Sequence, residues 1–319
     1  MVGGWIWTQG WFSEFLMNQA ITNLSRETSS QEKASSRSLG RKLVLTTSLL
    51  AMFAIAFMAF AQEPSAADEM HAGVLAYKFL DYPGAVEHFK TALNLDPSLT
   101  AARLFLATAY AQQYVAGDES AANIAMAEQA IEEFKKVLSG EPTEQERYKS
   151  VVPIASLSFN LKHFDQAREY YGKAIELNPT EARNYFMMAM IDWAEASKSR
   201  TKMREELALS ESAMISKPEA CVALRTQNQQ KVEDGIQRLQ KALELQPDNS
   251  DAMGYMNLLY RERAEYECDD PEVRKADLKT ADEWVDKAIA AKNAETGKAA
   301  GDKPATEKPP AEQPVPKQP

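Results

Sequence analysis

A small residue, an alanine twelve places on, an aromatic four further, a second alanine three beyond that and a proline after five more recur along this chain. One copy reads Gly73, Ala85, Phe89, Ala92, Pro97 and another Ala155, Ala167, Tyr171, Ala174, Pro179. Self-similarity at fixed spacing marks a solenoid, in which each unit buries its apolar face only by stacking on its neighbours. Steps of four and three put Ala85, Phe89 and Ala92 on one helical face. Gly73 falls on a preceding helix, where the missing side chain lets two helices approach closely. Pro97 ends the second helix because it cannot continue the backbone hydrogen-bond ladder. The predicted unit is a pair of antiparallel helices joined by a tight turn.

With the turn Asp81, Tyr82, Pro83, these residues resemble the tetratricopeptide repeat, a helix-turn-helix of about 34 residues. The resemblance implies an all-α fold over residues 66–292: a right-handed superhelical solenoid of antiparallel helix pairs. A second copy runs from Thr100, with Leu106, Ala107 and Tyr110 on its first helix and Ala130, Phe134, Val137 and Pro142 on and after its second. Between them, Tyr114 to Ala125 reads as an inserted loop and a fresh helix cap. The third copy, Tyr148 to Glu181, is ungapped. A fourth begins near Ala182 with Tyr185, Met188 and Ala189 and closes on Leu239, Ala242 and Pro247, with Gly235 where the family prefers Ala.

The halves of this fourth copy are separated by a surplus of about one repeat length. Residues 196–230 therefore hold either a degenerate extra repeat, using Val222, Ala223 and Thr226, or two elongated helices with a loop around Ser216 to Pro218. The second reading is preferred because no aromatic or proline marks a hidden copy. The last unit starts near Ser250 with Met253, Met256 and Tyr260. It has Asn257 at the small-residue position and no closing proline. Asp270, Pro271 and Glu272 read as an N-cap with proline at the first helical position. A charged, degenerate unit suits the end of a solenoid.

The ends differ from the repeats. Leu43 to Ala61 is apolar, preceded by Arg37, Arg41 and Lys42 and closed by Ala59, Phe60, Ala61, the form of a signal peptide over 37–61 with cleavage after Ala61. The alternative is an uncleaved anchor, since about 20 apolar residues just span a bilayer. The first makes the protein exported, periplasmic or secreted. The second ties it to an inner membrane through residues 43–61, its one membrane contact. Residues 1–36, with Trp5, Trp7 and Trp11, read as a membrane-interface anchor or as a leader preceding the true start. Residues 293–319 are rich in Lys, Pro, Ala, Glu and Gln and are expected to be a disordered tail, too poor in apolar surface to fold.

Chemistry is hard to find. The chain has 36 basic and 46 acidic residues, and everything after Ala61 is near minus 12, so a nucleic-acid partner, whose phosphates need clustered Lys and Arg, is not expected. His71, His88 and His163 share no metal-ligand spacing with Cys or carboxylates, and no phosphate-cradling glycine loop or nucleophile elbow occurs. Neither enzymatic activity nor a metal or other cofactor is expected. After export, Cys221 and Cys268 would meet an oxidising compartment and could bridge the fourth unit to the fifth; a free thiol in the cap is the alternative.

What remains is the concave face, which in the resembled family is lined by the first helix of each repeat. Transferring those positions gives a groove of Tyr77, Lys78, Gln112, Phe159, Asn160, Phe186, Met190, Trp193 and Arg261, with Glu262 beside the last. Its aromatics suit an extended peptide or helix with apolar side chains. For each aromatic the competing assignment is a packed core position. Trp193, followed by polar Glu195 and Ser197 and preceded by Asp192, is the best candidate for exposure. The expected function is a protein-protein interaction scaffold in the bacterial cell envelope. A homo-oligomeric structural protein and a non-catalytic accessory subunit of an envelope enzyme are the alternatives.

Overall fold

A computed structural model of the chain describes residues 64–210, 213–267 and 270–301, with side chains to residue 295. The leader, the apolar run 43–61 and the residues after 301 lie outside the described residues. Every regular element described is an α-helix. None of these helices is long and apolar enough to cross a membrane. The helices fall into two units, one ending at Glu133 and one starting at Phe134.

The first unit opens with α1 (Ala66–Lys78), α2 (Tyr82–Leu95) and α3 (Thr100–Gln113), and holds the first part of α4 (Ala121–Ser139). Ser65 and Asp68 form a reciprocal capping box at the start of α1, and Asp81 caps α2 by accepting from the Gly84 amide at 3.0 Å. A Cβ added to Gly73 would stand 2.6 Å from the Phe89 ring, so the glycine is where α1 admits the core aromatic of α2. Phe89 is fully buried and stacks on Phe105 of α3, ring centroids 5.6 Å apart. The expected insertion after α3 is shorter than its sequence boundaries, because α4 already begins at Ala121. Buried Asn123 pins the remaining loop. Its Oδ1 accepts from the Val115 amide at 2.7 Å, and its Nδ2 donates to the carbonyls of Val115 and Asp118 at 2.9 and 2.7 Å.

The second unit contains α5 (Glu144–Asn160), α6 (Phe164–Leu177), α7 (Ala182–Glu206), α8 (Pro218–Leu245), α9 (Ser250–Tyr266) and α10 (Pro271–Gly301). Prolines punctuate the repeats as expected: α2, α6 and α8 each stop two residues before Pro97, Pro179 and Pro247. In the α1–α2 and α5–α6 pairs the chain turns through a Schellman cap. After α1, Asp81 donates to the Ala76 carbonyl at 2.9 Å and Leu80 to that of Tyr77 at 3.0 Å. After α5, His163 and Lys162 repeat the pattern on Ser158 and Phe159. Leu80 and Lys162 consequently sit at φ 63° and 62°, the left-handed conformation glycine would take more cheaply.

The surplus in the fourth copy is absorbed by lengthening both of its helices. α7 has 25 residues and α8 has 28, against 17 and 14 in the preceding pair. The extra-repeat reading is corrected: Val222, Ala223 and Thr226 all lie within α8, and the Thr226 hydroxyl donates to the Val222 carbonyl at 2.8 Å. The extension continues the second unit's core through Ala196 and Met203 from α7, Cys221, Leu224 and Val232 from α8, Ile215 from the connecting loop and Tyr266 from α9. Lengthening adds buried face at every turn, whereas an extra hairpin would need a core aromatic and a second turn, and this stretch has no aromatic and a single proline, Pro218, which opens α8. Gly235 marks a close crossing, where a Cβ would meet Leu259 at 2.8 Å and the Cβ of Asp192 at 3.2 Å. That contact explains why the family's Ala is absent.

In the last pair, Asp270 caps α10 as predicted, its Oδ1 accepting from the amides of Glu272 and Val273 at 3.2 and 3.1 Å. The boundary placed at 293 falls inside α10, which runs on to Gly301. Residues 290–300 contain no proline and are largely alanine, lysine and glutamate, good helix formers, so nothing stops the helix there.

Candidate functional site

On α7, Phe186, Met190 and Trp193 are spaced by four and three residues and share one face. All three are half-buried. Phe186 and Trp193 flank Tyr255 of α9 edge-on, with ring centroids 5.5 and 5.4 Å from it at interplanar angles of 84° and 87°. Edge-to-face packing locks the three rings in orientation. The result is a partly exposed aromatic face resting on the second unit's core. Sequence reasoning missed Tyr255, although Tyr255, Leu258 and Glu262 follow one another at three and four residues, the period that marks a shared face.

The other expected groove residues divide. Phe159 is half-buried and packs against Phe164 of its own hairpin at 5.9 Å, beside half-buried Asn160. Tyr77 is a core residue of the first unit, 4 % exposed, its ring held between Tyr82 at 5.3 Å and Phe105 at 6.3 Å, and burial pushes its hydroxyl pKa well above the usual phenol range. Lys78 and Gln112 of that unit are half-buried. Arg261 is exposed but committed, its Nε donating to Asn257 at 2.8 Å and its Nη2 to Asp282 of α10 at 2.6 Å. Cys221 is buried in the α7–α8 extension. Cys268, its expected partner, lies outside the described residues. Among the described residues no group of three or more His, Cys, Asp or Glu side chains could hold a metal ion.

The same unit carries a set of buried charges that patterning did not reveal. Asp192, read from sequence as a sign of exposure, is 1 % exposed and accepts from Arg168 of α6 at 2.5 Å and from Arg238 of α8. Arg168 also reaches Glu195 at 3.1 Å. One carboxylate, on the residue before Trp193, thus ties α6, α7 and α8 together. Glu262, expected to line the groove, turns inward instead and takes the Arg200 Nε with both oxygens at 2.9 Å. Arg263 grips buried Asp277 of α10 at 2.5 and 2.9 Å. Buried charges survive only when paired and hydrogen-bonded, and such pairs specify helix register more than they add stability.

Burial pushes the Glu262 carboxyl up to about 7, against the pull of the Arg200 guanidinium and helped by neighbouring Glu265. The folded unit therefore holds this proton at a pH where the unfolded chain, near 4.5, has released it. Protonation stabilises the fold: the contribution is complete below about 4.5 and disappears as pH rises through about 7, a loss of at most about 3 kcal/mol. Urea denaturation at pH 5 and pH 8 should show that decline in the wild type, and Glu262→Gln should remove most of it. An undiminished decline in the variant would place the responsible group elsewhere.

Residues 152–181 match the family model described as tetratricopeptide repeat. No match was found among curated proteins. Among solved structures, the chain is similar to a MamA protein at 17 % identity and a TM-score of 0.47, covering 76 % of this chain and 97 % of that one. MamA residues 41 to the end from Desulfovibrio magneticus RS-1 match at 16 % and 0.47, over 73 % and 98 %. YrrB, described as a tetratricopeptide-repeat protein with an unusual peptide-binding site, matches at 16 % and 0.45, over 76 % and 97 %.

Proposed function

We propose that this tetratricopeptide-repeat chain is a protein-protein interaction scaffold that binds a peptide or helix on the Phe186, Met190, Trp193 and Tyr255 face. The observation that carries the reading is the flanking of Tyr255 of α9 by Phe186 and Trp193 of α7. Three rings held rigidly before a ligand arrives lose little side-chain entropy on binding, and aromatic anchors of this kind dominate interface energetics. The binding is equilibrium capture by a largely preformed surface, with no covalent chemistry. Phe159 and Asn160 on the preceding repeat extend the surface.

Trp193→Ala, alone and with Phe159→Ala, should cost a bound partner about tenfold or more in affinity while leaving far-UV circular dichroism unchanged. Retention of the partner by both variants would remove this face from the binding site. Loss of helicity would show the rings to be structural.

The reading includes a location in a bacterial cell envelope, supported by the basic, apolar and small-residue order of residues 37–61. Intact mass of the protein from an envelope extract should correspond to a chain beginning at Gln62. A species retaining residues 43–61 would instead make it a membrane-tethered scaffold.

A further inference from the structure

Two ion pairs set the register of the last helix pair: Arg263 of α9 with Asp277 of α10, and Arg261 with Asp282. Residue numbers fall along α9 as they rise along α10, so the helices are antiparallel. At that register α10 passes the start of α9 at roughly residue 290, and its last turns run on beyond it. The chain therefore leaves α10 at the end of the pair where Tyr255, five residues into α9, meets Phe186 and Trp193.

What leaves is residues 302–319, of which six of eighteen are proline, including Pro309, Pro310, Pro314 and Pro316. We propose that this segment occupies the Phe186–Tyr255–Trp193 face of its own chain and competes there with the partner. The inference rests on the reading of that face as a peptide-binding surface.

Reach, chemistry and charge all favour this occupant. From the level of Tyr255 to Gly301 is about 20–25 Å along α10, whereas eighteen residues in polyproline form span about 56 Å. Proline-rich segments dock on aromatic-lined grooves because the extended helix is formed in advance and little entropy is lost on docking. The segment carries three lysines against two glutamates and one aspartate, so an otherwise acidic chain does not repel it. Tethering gives it a local concentration at the face on the order of millimolar, enough to hold off a weak ligand and to yield to a strong one.

The test uses the full chain and a variant with Pro309, Pro310, Pro314 and Pro316 replaced by serine, changes confined to residues after the last described helix. The probe is a fluorescent synthetic peptide of residues 302–319, followed by anisotropy. The serine variant should bind the probe at least tenfold more tightly than the wild type, and adding Trp193→Ala should abolish that binding. Equal affinity for the two chains, or no binding to either, would overturn the proposal. Its failure is separable from failure of the binding surface: partner capture that still depends on Trp193 would leave the surface standing without the tail.

Discussion

Asp192→Ala should lower the stability of the second unit by roughly 3 kcal/mol, among the largest losses available from a single polar side chain in this protein. The carboxylate is 1 % exposed and receives both Arg168 and Arg238, whose own side chains are 30 % and 23 % exposed. Removing it leaves two guanidinium groups facing each other in a partly desolvated space with only Glu195 and Asp234 at their margins. Partial exposure of the arginines is why the expected cost sits at the lower end of the range for broken buried pairs. Urea denaturation of the full chain, read by far-UV circular dichroism, checks it. A loss below about 1 kcal/mol would mean that water screens the trio as it screens a surface pair. Because Asp192 precedes Trp193, the same variant should also weaken partner binding by loosening the aromatic face.

Phe89→Ala should cost the first unit about 3–5 kcal/mol, since the ring is wholly buried, stacked on Phe105 and seated against Gly73. The same seat predicts a non-additive pair. Gly73→Ala alone should destabilise by about 1–3 kcal/mol, because its methyl would stand 2.6 Å from a ring held on every other side. Introduced together with Phe89→Ala, it should cost little, and the two changes should sum to well under their separate effects. A strictly additive double variant would show that the glycine is required for something other than the ring. Hydrogen exchange across α1 and α2 would localise the loss.

Much of the architecture was legible because the repeat encodes steric requirements that are local to one helix pair. Gly73 opposite Phe89, the alanines at 85 and 92, and the prolines at 97, 179 and 247 each answer a need arising within a few residues or across one tight turn. The long fourth pair could also be read, because no aromatic or proline marks a hidden copy and the turn signal Ser216 to Pro218 suits one loop between two long helices. The site was legible only in part. Phe186, Met190 and Trp193 were recognised by their spacing on one helix, but Tyr255 lies more than sixty residues beyond Trp193 on another helix, and spacing within α7 carries no information about it. Arg261 and Glu262 stand on neighbouring positions of α9, yet one faces Asp282 and the other Arg200, a difference of about 100° around the helix axis that polarity alone could not resolve.

Charge was the property most misread. Asp192 and Glu262 look like markers of a solvated face, and both are buried because arginines from other helices reach them. By itself the sequence determined the helical repeat, the punctuation of its pairs and the aromatic stripe on α7, since these follow from backbone sterics and the 3.6-residue period. Only the tertiary structure decided which polar groups go inside, which aromatics share a face and how far α10 runs past α9. Those outcomes depend on the register between helices distant in sequence, and register is settled by the packing and ion pairs of the assembled unit.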